Sequence, residues 1–243
     1  MKSRLTNYKK MNALIMELKN EAMKTRHWKT LLSKMKLNVS VGELTLSILW
    51  SCDLLKYENH IRDVMTVARG ELVLEEMLRN IKEYWNKFEL DLVRYQNKCK
   101  LIKGWDELFT KVDEDLNNLS SMKISPYYKS FEEEISPWDQ KLQNVRITFD
   151  IWIDVQRRWV YLEGIFFGAS DIKTQLTNEY NRFKGIDNEF TSLMKKVSNK
   201  PSILEVISLP NLQKSLERLA DLLAKIQKAL GDYLETQRSA FAR

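Results

Sequence analysis

The chain has 243 residues with a net charge of +6, 44% apolar and 30% charged residues, and only seven glycines and four prolines. So little punctuation excludes an all-β sandwich with its frequent turns, and the apolar content excludes a disordered chain. No window reaches the ~18 uninterrupted apolar residues of a membrane span, the charged start is unlike a secretory signal, and two cysteines, Cys52 and Cys99, point to a reducing intracellular setting.

Leu5, Tyr8, Met11, Leu14, Leu18 and Ala22 recur at three-to-four spacing and predict a helix from about residue 5 to 36. The same stretch concentrates charge: residues 1–36 carry +8 and the remainder −2. A basic end suits nucleic acid, an anionic membrane or an acidic protein surface. A solvated helix face is the commoner meaning of such a run, and nucleic acid is disfavoured because neither an aromatic RNA platform nor a zinc finger accompanies it. Ser40–Glu43 (SVGE) has the form of a capping box that starts a helix just before Leu44, with a short strand over Leu44–Leu49 as the alternative. From Leu54 to about Asn97 the pattern is helical, with a break expected near Gly70. Its second half carries Leu74, Leu78, Ile81, Trp85, Phe88, Leu92 and Tyr95, alternately four and three apart, a seam of period 3.5.

Gly104 interrupts that period, so a strand or tight connection is expected near residues 98–112. Ser125-Pro126 and Ser136-Pro137 each read as an N-cap serine followed by proline at the first helical position. The second start launches Trp138, Leu142, Val145, Phe149, Trp152, Gln156 and Trp159 at the same spacing. A neighbouring row, Ile147, Ile151, Val155 and Leu162, makes this helix apolar on two faces and hence the most buried element. Gly164–Gly168 reads as its stop. Ser202–Glu205 (SILE) has the form of another capping box. Pro210-Asn211 opens a last helix with Leu212, Leu216, Leu219, Leu223, Ile226, Leu230 and Tyr233 on its seam. The fold class is therefore all-α: elongated antiparallel helical bundles, with one short strand or hairpin near residues 98–112.

No chemistry-bearing string is present. A P-loop, a G-x-G-x-x-G turn, H-E-x-x-H and C-x-x-C are all missing. His27 and His60 stand far apart, and His27 beside Trp28 reads as a packed residue rather than a ligand. Cys52 and Cys99 read as small buried hydrophobes. The run Glu132–Glu134 fans around a helix axis and reads as a solvated face, and Asp113–Asp115 lacks the glycine of a calcium loop. No catalytic, cofactor or metal residue is assigned. The aromatic residues Trp28, Trp85, Trp138, Trp152, Trp159 and Tyr161 are the structural and mechanical candidates.

Longer strings go further. Arg26–Lys29 (RHWK) with Leu31-Leu32 resembles the opening of the linker in dynein heavy chains, and Asp150–Phe167 (DIWIDVQRRWVYLEGIFF) resembles that region's most distinctive stretch. Leu90–Cys99 (LDLVRYQNKC), Ser125–Tyr128 (SPYY), Leu216–Leu223 (LERLADLL) and Ile226–Leu230 (IQKAL) resemble the cytoplasmic class rather than the axonemal one. The resemblance runs from about Leu14 to the last residue. Thr177 departs from it, standing where a Leu-Pro pair is common, and so does Ala242, where proline is usual.

The resemblance implies a lever arm of a minus-end-directed microtubule motor, bending and straightening over an AAA+ ring during ATP-driven transport. It implies residues 1–25 as a helix joining tail to linker, 26–125 as a first sub-bundle, and 126–243 as a second that continues past Arg243 before the ring. The implied partners are that ring, the dynein tail and accessory subunits, with microtubules only indirectly and neither nucleic acid nor membrane. ATP and Mg would belong to the ring, with no cofactor in this stretch, which is expected to be a monomer in the cytoplasm. Asp150–Glu163 is expected in a helix joining the two sub-bundles. The alternative function is a self-contained helical scaffold or tether that binds protein partners through its basic N-terminal end.

Overall fold

In the computed structural model, which describes residues 2–241, the first predicted helix divides in two. Helix α1 covers Lys2–Leu18 and α2 covers Thr25–Lys34. The break has a local cause. Asn20 Oδ1 accepts the amide of Ala22 at 2.9 Å, a side-chain turn that competes with the helical ladder. The far end of α2 closes with Lys36 at φ +56°. The Leu37 amide reaches Leu32 and the Lys36 amide reaches Ser33, both at 3.0 Å, which satisfies two terminal carbonyls.

The Ser40–Glu43 capping box does not form. Ser40 Oγ donates to the Glu43 carboxylate at 2.8 Å instead, and Val41–Glu43 make a single 3₁₀ turn. Helix α3 starts later, over Leu46–Ser51, where Thr45 Oγ1 accepts the Ile48 amide at 3.3 Å. The strand alternative at Leu44–Leu49 is likewise absent.

After a 3₁₀ turn at Leu54–Tyr57, α4 runs unbroken over Glu58–Lys87, straight through Gly70. Glycine is there for clearance, because a Cβ at position 70 would stand 2.1 Å from the Tyr127 ring. Gly70→Ala should therefore destabilise the chain by ~1–3 kcal/mol through overpacking, although helix propensity alone favours alanine by ~1 kcal/mol. The two effects have opposite signs, so one urea melt decides between them, and a second substitution, Tyr127→Ala, should recover part of the loss.

Leu74, Leu78, Ile81 and Trp85 are buried as their seam predicts. The seam does not continue to Leu92 and Tyr95. Helix α4 stops because the backbone finds distant partners: the Leu90 amide donates to the Pro201 carbonyl at 2.9 Å and Ile203 to Phe88 at 3.2 Å. Leu92–Tyr95 then form β1, antiparallel to β2 (Cys99–Ile102), with Leu92 opposite Ile102 and Arg94 opposite Lys100. Gly104, at φ +71°, makes the turn into α5 (Trp105–Ile124).

Neither serine-proline pair opens a long helix. Ser125 Oγ accepts the Tyr127 amide at 3.2 Å and leads into a 3₁₀ turn. Helix α6 (Glu132–Gly168) begins four residues before Ser136 and takes Pro137 inside it. Phe131 accepts the amides of Glu134 and Ile135, so the helix is under way before the proline. Glu132–Glu134 occupy the first turn, where carboxylates suit the partial positive charge of a helix N-terminus.

The remaining helices are α7 (Ser170–Gln175), α8 (Thr177–Asn199), α9 (Ile203–Ile207) and α10 (Leu212–Phe241). Thr177 opens α8, its hydroxyl donating to Thr174 O at 3.0 Å. Ser202 precedes α9 without a side-chain cap. Ala242 lies outside the described residues. The chain is all-α with one small hairpin.

It divides into two compact units. The first is Met1–Asn80 with Leu119–Ile135, and the second is Ile81–Asn118 with Ser136–Arg243. The first has a core of Leu14, Leu18, Leu31, Met35, Leu54, Ile61 and Met65. In the second, Leu142, Val145, Phe149, Trp152, Val155, Trp159, Leu162 and Phe166 of α6 are all at 0% exposure. The second row of α6 is only partly inside, since Ile147 is 51% exposed and Ile151 half-buried. Asp150–Glu163 fall wholly within the second unit, and their partners there include Ile102 and Asp187.

Candidate functional site

The mechanical candidates occupy different settings. Trp85, Trp138, Trp152 and Trp159 are buried, Trp28 is half-buried in the first unit, and Tyr161 faces solvent on α6. Tyr161 is thus not brought together with the buried tryptophans of its own helix.

Two buried indoles tie helices together through carboxylates. Trp85 Nε1 donates to Asp115 Oδ2 at 2.8 Å, and Asp115 also accepts from Lys111 Nζ at 2.9 Å. Trp159 Nε1 donates to Asp187 of α8 at 3.1 Å. Trp152 differs: its ring packs on Phe149 with centroids 5.3 Å apart, but its buried N–H has no acceptor.

Around Trp159 the hairpin is latched to α6 and α8. Gln156 accepts from the Ile102 amide at 3.0 Å and donates to the Ile102 carbonyl at 2.8 Å, extending β2's hydrogen bonding through a side chain. Glu163, 2% exposed, accepts from the Tyr95 hydroxyl at 2.9 Å. Lys98 Nζ stands 2.8 Å from Glu163 and 3.7 Å from Asp187. It forms no hydrogen bond to either, so these are ion pairs. Its ammonium also lies 3.8 Å from the centre of the Phe167 ring, a favourable cation–π placement. Burial, reinforced by the bond to Glu163 and its charge, pushes the Tyr95 phenol up to about 12.

Lys98, Glu163 and Asp187 are not among the residues that the sequence singles out. One signal was available, since Glu163 stands four residues after Trp159, the next position on the apolar seam. A carboxylate there is inside only if something charged meets it.

The first unit holds a second charged knot. Glu71, 5% exposed, accepts from Arg26 Nε at 2.6 Å and from Ser130 Oγ at 2.8 Å. His27 completes it. Its Nδ1 accepts the Lys24 amide at 3.1 Å, which leaves the proton on Nε2, 2.8 Å from Glu71. Burial by itself would raise the Glu71 pKa, but the hydrogen bonds from Ser130, Arg26 and His27 outweigh it and hold the carboxyl below its ordinary range.

A depressed folded-state pKa gives stability that is present above the unfolded value and lost as pH falls through the folded one. Acid melts should show that loss below about pH 4.5, and Glu71→Gln should flatten it. An unchanged acid limb in the variant would refute the assignment to Glu71.

Cys52 and Cys99 are half-buried free thiols rather than fully buried ones, and burial pushes Cys99 up. His60 is exposed. Among the described residues no group of three or more His, Cys, Asp or Glu side chains is placed to hold a metal. No described helix is long and apolar enough to cross a membrane. What the two knots do is fasten elements: each holds residues far apart in sequence with charge and aromatic surface.

The family described as "Dynein heavy chain, N-terminal region 2" matches residues 1–243. The chain is 68% identical over 243 residues to a cytoplasmic dynein heavy chain of Paramecium tetraurelia, covering 100% of this chain. It is 56% identical over 236 residues to one of Dictyostelium discoideum, covering 97% of the chain, and 52% identical over 242 residues to one of Drosophila melanogaster, covering 100%. It spans 5% of the length of each of these relatives.

Proposed function

The chain belongs to the dynein heavy chain family, within its N-terminal region 2, and on that premise we propose that it is the mechanical linker of a minus-end-directed microtubule motor. In this role it bends and straightens over the AAA+ ring of the same heavy chain and passes the power stroke of ATP-driven transport to the tail. ATP and Mg bind in the ring, and this stretch supplies no catalytic group. Its partners are the ring, the tail and the accessory subunits, in the cytoplasm at the cytoskeleton. Microtubules are reached only through the rest of the motor.

The observation that carries the reading is the fully buried row Phe149, Trp152, Val155, Trp159, Leu162 and Phe166 within one 37-residue helix. Close-packed interiors are poorly compressible and transmit strain instead of absorbing it, which is what a lever requires. The scaffold alternative draws less support, because Lys24 and Arg26 of the basic end are engaged by Glu75 and Glu71.

The test is a full-length heavy chain with Trp152→Ala and Trp159→Ala. ATP turnover should persist while microtubule gliding slows or stops. Gliding at the unmodified velocity would overturn the lever reading.

A further inference from the structure

A groove of about 310 Å³ opens in the second unit between the hairpin and α8. The hairpin lines it with Arg94, Gln96, Lys98 and Lys100, and α8 with Lys195 and Ser198. No carboxylate is among its lining residues. Lys98 is already neutralised from below by Glu163 and Asp187, and that anchorage fixes the hairpin loop. Arg94, Lys100 and Lys195 are exposed, and none forms an ion pair among the described residues.

Arg94 and Lys100 are direct cross-strand partners. Like charges in that position weaken an antiparallel pair, so stability does not account for them. Three uncompensated cations in a concavity concentrate positive potential at one place.

We infer that this groove is a docking site for an acidic protein segment, a stretch of peptide with clustered Asp and Glu carboxylates. Carboxylates spaced along a peptide can each meet one of the cations, with Gln96 and Ser198 as neutral hydrogen-bonding neighbours. Nucleic acid is disfavoured because no aromatic side chain lines the groove for a base to stack on. A compact phosphate is disfavoured because its charge sits at one point, whereas the free cations are spread over both hairpin strands and α8. This assignment does not depend on the mechanical role.

The test is fluorescence anisotropy of a labelled polyglutamate peptide titrated with the full chain at low salt. Wild type should bind, more weakly as salt screens the charges. Lys100→Glu with Lys195→Glu should weaken binding about tenfold or more, while Lys29→Glu with Lys34→Glu, the same charge change on exposed α2 positions, should weaken it less than about twofold. Lys100→Glu alone should raise the Tm, since it sets opposite charges across the hairpin, and this separates lost binding from lost folding. Equal weakening in the two double variants would reduce the effect to net charge and overturn the site. No binding by wild type would do the same, and so would displacement of the peptide by inorganic phosphate or oligothymidylate as readily as by unlabelled polyglutamate.

Discussion

Trp159→Ala is expected to lower the unfolding free energy by ~4 kcal/mol, near the top of the range for core substitutions. The ring is at 0% exposure, packed on Phe190 at 4.8 Å and against Tyr95 at 5.4 Å between centroids. Alanine opens a cavity bordered by both rings and strips Asp187 of its indole donor. Phenylalanine at the same position separates the two contributions. It keeps most of the packing and loses the hydrogen bond, at a cost of ~1–2 kcal/mol.

Trp152 supplies the control, because its N–H has no acceptor to lose. Trp152→Phe removes an unpaired buried donor along with some volume, and should cost less than Trp159→Phe. Urea melts followed by far-UV circular dichroism measure all three, with the m-value checking that unfolding stays cooperative across two compact units. A loss under ~1 kcal/mol for Trp159→Ala would mean that the site collapses around the missing ring, and this row would not be the stiff core that the proposed lever needs.

Glu163→Ala is the second large effect, expected at ~3 kcal/mol, the lower end for breaking a buried ion pair. The substitution leaves the Lys98 ammonium inside with only Asp187 at 3.7 Å and the Phe167 ring for company. It also orphans the Tyr95 hydroxyl. Replacing both charges, Lys98→Met with Glu163→Leu, should restore much of the loss, because burying two ions costs solvation that two apolar side chains do not incur. The double-mutant cycle isolates the pair from its surroundings. Hydrogen exchange at Cys99–Ile102 reports whether the hairpin has come loose from α6 and α8. If Glu163→Ala changes stability by less than ~0.5 kcal/mol, the ammonium has found water and the latch is not structural.

The aromatic rows of α6 and the leucine row of α10 were legible from spacing alone, through Trp138–Trp159 and Leu212–Leu230. So was the need for a turn at Gly104. The same period misled at Leu92 and Tyr95, which continue the α4 seam in sequence and lie in a strand in space. Ser136-Pro137 misled for a similar reason, since a good N-cap string was overrun by a helix already begun at Glu132. The site was less legible than the fold. Trp85, Trp152 and Trp159 could be picked out as buried aromatics, but Asp115 and Asp187, the carboxylate partners of Trp85 and Trp159, look like ordinary surface acids in the sequence.

Spacing along the chain suffices to show where apolar side chains repeat at helical period, and therefore which helix faces turn inward, because that periodicity is carried by residues only three or four apart. Tertiary structure alone decided where α4 stops, which acids are buried, and why position 70 is glycine. Each of those depends on a partner remote along the chain: Pro201 and Ile203 for the end of α4, Lys98 for Glu163, Tyr127 for Gly70. A hydrogen bond, a charge pair or a steric gap needs both of its sides in place, and no local window of the chain contains both.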